Sequence, residues 1–128
     1  MAFVTTFVNR GHCVVQVGSG VVLGSEILAG AHAVSEHVQG GAELTHGLVD
    51  LSDVTELHLS AEEVELIALE NRIAAASMPP ATVAVIATRD LAFGLARMWE
   101  AMVSGTNWRT RVFRDADAAR EWLNIDAV

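Results

Sequence analysis

Residues 81–123 carry two strand-then-helix patterns in close succession, and no other feature limits the fold of this chain so tightly. Ala81–Thr88 (ATVAVIAT) is a short apolar run rich in β-branched residues, which predicts a buried strand. Leu91–Val103 places apolar residues at helical spacing, Arg109–Phe113 reads as a further strand, and Asp115–Leu123 as a closing helix. Strands that alternate with helices imply parallel strands joined by crossovers, with the helices packed on the sheet.

The remainder of the chain extends the same pattern. Ala2–Val8 and His12–Val17 are β-rich and separated by Asn9-Arg10-Gly11, a connection suited to a hairpin whose last residue needs positive φ. Gly18-Ser19-Gly20 is expected to end the second strand. Ile27, Leu28, Ala31, Val34 and Val38 recur at helical spacing, so a helix is predicted from Gly24 or Ser25, either of which is a candidate cap, to Val38. Gly40-Gly41 stops it. His46–Leu51 predicts a third strand and Ser52–Leu59 a connection. Ser60-Ala61-Glu62-Glu63 is a capping box, in which the serine hydroxyl accepts from a backbone N–H and Glu63 reaches back. That helix runs to about Ala76, before Pro79-Pro80 forbids its continuation. The expected architecture is α/β: order ββαβαβαβα, a mixed but mostly parallel sheet of four to five strands, about four helices, and one domain over residues 1–128.

Composition bounds the function. The chain has 128 residues, is 52% apolar with mean hydropathy +0.36, and contains no apolar run of the length a membrane span needs. The N-terminal MAFVTTFVNRG lacks the basic start and apolar stretch of a signal peptide, so a cytoplasmic protein is expected. Eight basic against sixteen acidic residues give a net charge of −8, which opposes binding to nucleic acid. Arg109, Arg111 and Arg114 form only a local basic patch. Cys13 is alone, in an apolar run where a buried inert thiol is expected. The histidines His12, His32, His37, His46 and His58 show no metal-ligand spacing, so neither metal nor cofactor is expected.

Two segments resemble a known family. Leu48–Ser60 (LVDLSDVTELHLS) resembles the central strand and loop of STAS domains, the fold of the bacterial anti-anti-sigma factors. VAVIATRDLAFGLARMWEAM followed by RTRVFRDADAAREWL is similar to the bacterial SpoIIAA-like (STAS/SEC14-like) proteins, and the resemblance spans residues 12–124. It implies a STAS-like fold and a regulatory module without catalysis, acting on a protein partner. The SEC14-like connection implies, as the alternative, a carrier of a small apolar or anionic ligand. The oligomeric state is left open, a homodimer included. Phosphorylated STAS proteins open the following helix with Asp-Ser-Ser-Gly, and the second serine takes phosphate. The matching positions here read His58-Leu59-Ser60-Ala61, so only the serine is kept. Three acidic residues, Glu62, Glu63 and Glu65, would repel a phosphate on Ser60, which makes capping its first role.

Ligands of such sheets sit beyond the carboxyl ends of the parallel strands. That edge groups Asp50, Ser52, His58, Ser60, Thr88 and Asp90 as candidate switch or ligand residues, with Thr88 and Asp90 also suited to cap or charge the next helix. Converging helix N-termini would favour an anion there. Asp50, His58 and Ser60 have the residue types of a hydrolytic triad, but no Gly-x-Ser-x-Gly elbow accompanies them. The stripe Leu91, Leu95, Met98, Trp99 and Met102 could line an apolar pocket, as the SEC14-like resemblance implies, but reads more simply as core; Gly94 reads as a site of close packing or of room for something small, and Trp108 and Trp122 as half-exposed candidates for a protein contact.

Overall fold

The computed structural model describes residues 2–124. Its elements are β1 (Phe3–Val8), β2 (Cys13–Leu23), α1 (Gly24–Gln39), β3 (His46–His58), α2 (Ala61–Ala76), β4 (Ala81–Ile86), α3 (Asp90–Val103), β5 (Trp108–Phe113) and α4 (Ala116–Leu123). They follow the ββαβαβαβα order. The five strands lie in the order β1-β2-β3-β4-β5; β1 is antiparallel to β2, and every later pair is parallel. The hairpin needs more left-handed backbone than its glycine alone supplies, with φ of 52° at Asn9, 58° at Arg10 and 84° at Gly11.

Because each parallel strand adds to the same side of the sheet, right-handed crossovers put α1, α2 and α3 on one face. There α1 packs on α2 and α2 on α3. The helix α4 returns alone to the opposite face, where Ala119 and Leu123 bury against Leu48, Ala84, Ile86 and Phe113. Strand alternation sorts the two cores: Val83, Val85 and Val112 face the three-helix layer, while Ala84, Ile86 and Phe113 face α4.

Several expectations are corrected. Gly18-Ser19-Gly20 does not end β2; the strand continues to Leu23 through register shifts against β3. A Cβ on Gly18 would meet Val54 at 2.9 Å, and Gly20 turns the backbone with φ of 65°. Both glycines let the strand bend without leaving the sheet. The Ser52–Leu59 stretch is likewise not a connection, since β3 runs on to His58 beside the lengthened β2. In contrast β4 stops at Ile86 rather than Thr88. The cap of α1 is neither Gly24 nor Ser25: Leu23 holds that position, and its N–H donates to Glu26 Oε1 at 3.0 Å.

The stripe on α3 is only partly core. Ala92, Ala96 and Val103 are its buried residues, because small side chains let the helix approach the sheet, while Leu91 is 62% exposed. Gly94 is exposed, and among the described residues no neighbouring atom lies within 4 Å of where its Cβ would stand. Trp108 is buried, not half-exposed, and its indole N–H donates to the Met78 sulfur at 3.3 Å. Trp122 is half-buried against Phe113 with ring centroids 5.5 Å apart, and Arg109 lies over its face.

Candidate functional site

The extensions of β2 and β3 decide the shape of the carboxyl edge. Pairing between β3 and β4 ends at Asp50–Ile86, and pairing between β1 and β2 ends at Phe3–Gly18. Pairing between β2 and β3 continues to Leu23–His58. Residues 20–23 and 53–58 therefore form a two-stranded arm that outruns its neighbours. Among the described residues, no strand pairs with the outer edge of this part of β3. Its exposed side chains include Val21 (48%) and Leu23 (46%), and Leu91 stands exposed at the start of α3.

The six candidate residues do not converge on one point. Val49 and Leu51 turn toward the helix layer and line a cavity there, so Asp50 and Ser52 take the alternate positions on the α4 side of the sheet. Asp50 Oδ1 accepts from the Ser52 N–H at 3.0 Å and from its hydroxyl at 2.5 Å. His58 lies between Leu57 and Leu59, both of which line the cavity, and its Nε2 pairs with Glu56 at 2.9 Å. Ser60 starts α2 with its hydroxyl accepting from the Glu63 N–H at 3.1 Å, while Glu63 Oε1 accepts from the Ser60 N–H at 2.9 Å. The capping box read from the sequence is thus formed in full.

Thr88 and Asp90 belong to a third cluster. Thr88 does not cap α3; Arg89 occupies that position without a side-chain bond, and Asp90 supplies negative charge to the first turn. Arg114 ties the cluster together, donating to Asp90 at 2.8 Å and to the Thr88 carbonyl at 3.4 Å while its guanidinium lies 4.1 Å from the centre of the Phe93 ring. Among the described residues, no hydrogen bond joins Asp50, His58 and Ser60 to one another, so the residue types of a triad are present without its geometry. Each helix N-terminus here also carries its own carboxylate: Glu26 on α1, Glu63 on α2 and Asp90 on α3. Glu26 and Glu63 thereby take a backbone N–H that an incoming anion would use, while Asp90 pairs with Arg114.

Two residues of the α3 stripe, Leu95 and Trp99, line a cavity. It is a partly open cleft of about 80 Å³ between the sheet and α1–α3, and its lining includes Leu51, Leu57, Ile67, Val85, Leu95 and Trp99. Two carboxamides, Gln16 and Asn71, also reach it. Both are buried: Asn71 Oδ1 accepts from the Trp99 indole N–H at 2.8 Å, and Gln16 Nε2 donates to the Thr5 hydroxyl at 3.3 Å. A polar residue on the inner stripe of a helix, such as Asn71 in α2, was the available signal. Cys13 is buried as expected, and loss of hydration pushes its thiol pKa above the ordinary 9.0.

An antiparallel edge strand, a parallel continuation, three helices on one face and a fourth on the other define the SpoIIAA-like, or STAS, fold. Among solved structures, an uncharacterised DUF3478-family protein with a SpoIIAA-like fold from Shewanella loihica PV-4 superposes with a TM-score of 0.57 at 16% identity, over 95% of this chain and 92% of that one. The anti-sigma factor antagonist SpoIIAA in its unphosphorylated form superposes with a TM-score of 0.56 at 16% identity, over 97% of this chain and 100% of that one. No protein-family model matches the sequence, and no curated protein matches it. The shared property is the fold.

Proposed function

We propose that the protein is a non-catalytic regulatory module that recognises a protein partner through the carboxyl edge of its sheet. The β2–β3 arm carries this reading: it presents the unpaired outer edge of β3 together with exposed Val21 and Leu23 on β2. Exposed apolar side chains rimmed by polar ones mark protein contacts, and a free strand edge can accept an extended segment of a partner. The likeness to an anti-sigma factor antagonist supports a regulatory role. Ser60 is first a cap in this reading, and phosphorylation there would act by disturbing the start of α2 beside Glu62 and Glu63.

The test is capture of partners from the native host with the wild-type chain and with Val21→Asp and Thr55→Pro variants, each checked for folding by circular dichroism. Thr55→Pro places a proline at the register shift of the arm, where Thr55 has no partner residue on β2 and the outer edge of β3 is unpaired. A partner held by the wild type and lost by both folded variants is the expected result. Retention by both would remove the arm from the interface.

The cavity favours a second reading, a sensor of a small apolar ligand. At about 80 Å³ it is roughly half the size of an engineered cavity that holds benzene, so it suits a few heavy atoms and not a lipid chain. Trp99 lines it, and titration of tryptophan fluorescence with a short aliphatic alcohol is the direct measurement. A saturable change lost in Ala92→Leu, which fills the cavity, supports this reading.

A further inference from the structure

The helix α2 is apolar on two opposite faces, although it lies in the outer layer of the molecule. Its inner face buries Val64, Ile67, Ala68, Ala74 and Ala75 against the rest of the fold. Its outer face exposes Leu66 (51%), Leu69 (54%) and Ile73 (48%). These three are spaced by three and four residues, so they form one continuous stripe rather than scattered surface leucines. The stripe is flanked by Glu62 and Glu65 toward the N-terminus and by Arg72 toward the C-terminus, all exposed.

We infer that this stripe is the contact of a symmetric homodimer in which α2 packs antiparallel on α2 of a second copy. A two-fold axis through Leu69 sets Leu69 against its own copy and Leu66 against Ile73 of the second copy, so that every stripe residue meets an apolar side chain. The same axis brings Glu65 of each copy toward Arg72 of the other, whose Nη1 donates to the Met102 carbonyl at 3.0 Å and leaves Nη2 for the carboxylate, giving two attractive pairs, and it opposes the helix dipoles. A parallel arrangement would instead stack Glu62 and Glu65 on their own copies. The acidic flank and the net charge of −8 likewise oppose an anionic lipid surface as the occupant. One helix of sixteen residues covers less than the roughly 800 Å² per partner of a standard interface, so the association is weak and concentration-dependent. This contact lies on α2 and is independent of the partner edge proposed above.

Sedimentation equilibrium of the purified chain over a wide concentration range tests it, alongside co-sedimentation with neutral phosphatidylcholine vesicles. The wild type should pass from monomer to dimer as concentration rises. Leu69→Glu, which places like charges on the axis while leaving the buried face intact, should remain monomeric with an unchanged melting temperature. Glu65→Arg and Arg72→Glu should each raise the dissociation constant roughly tenfold, and the double variant should restore it. A monomer at every concentration would overturn the inference. So would a dimer indifferent to Leu69→Glu, a double variant no tighter than the single ones, or a monomer whose stripe binds vesicles.

Discussion

Replacement of Ser60 by alanine removes one identifiable interaction. The hydroxyl accepts from the Glu63 N–H at 3.1 Å, and its loss leaves that donor at the start of α2 to water. The reciprocal bond, from the Ser60 N–H to Glu63 Oε1, remains available to alanine, because it uses only backbone on the residue-60 side. The effect is therefore that of a single lost cap, about 1 kcal/mol within a range of roughly 0.5–2 kcal/mol. With about 2.1 cal/mol/K of unfolding entropy per residue, a chain of 128 residues has about 270 cal/mol/K, so the melting temperature should fall by about 4 °C. Thermal unfolding followed by circular dichroism, with urea denaturation as a second measure, reads this directly. Ser60→Asp restores a capping acceptor and should recover most of the loss, and Ser60→Gly should cost only a few tenths of a kcal/mol. An unchanged melting temperature in Ser60→Ala, accompanied by loss of partner binding, would refute the assignment of Ser60 as a cap and return it to the switch role.

Three further outcomes are expected. Asn71→Ala leaves the Trp99 indole N–H without its buried acceptor and should cost about 1–3 kcal/mol, most of which should vanish in a Trp99→Phe background when both are measured by urea denaturation. Gly24→Ala puts a methyl where the Glu63 carboxylate lies, so it should destabilise the wild type yet be neutral or stabilising in a Glu63→Ala background. Cys13, with its thiol pKa raised by burial, should resist alkylation in the native protein and react once urea unfolds it. Because the unfolded thiol ionises first, the stability it contributes is present below the ordinary 9.0 and is lost as pH rises past it toward the folded value; a Cys13→Ala variant should lack that alkaline loss.

The α/β order was legible because it depends on local pattern. The β-branched run of β4, the helical spacing in α1, the proline pair after α2 and the Ser60–Glu63 box each act within a few residues, and each element formed where expected apart from the last two residues of β4. Strand ends were less legible. Whether Gly18–Gly20 breaks β2 or bends it depends on Val54 and Leu51 across the ladder, and whether Ser52–His58 is loop or strand depends on β2 being long enough to pair with it. Neither partner is near in sequence.

The candidate site was legible as residue types and not as an arrangement. Asp50, His58 and Ser60 fall close together in the chain, but strand alternation and the step from β3 into α2 give each its own neighbour: Ser52, Glu56 and Glu63. Arg114, which binds the Thr88–Asp90 turn, comes from the end of β5, a link no spacing rule contains.

By itself the sequence determined the order of strands and helices and, to within a residue or two, the span of each helix, since propensity, capping and apolar periodicity act over one or two turns. Only the tertiary structure decided that three helices share a face, that the β2–β3 arm outruns the sheet, that a cavity of about 80 Å³ lies beneath α2, and that Leu66, Leu69 and Ile73 are left without cover. Those properties depend on which surfaces meet across the fold. Two equally apolar faces of one helix are indistinguishable until packing buries the first and leaves the second in water.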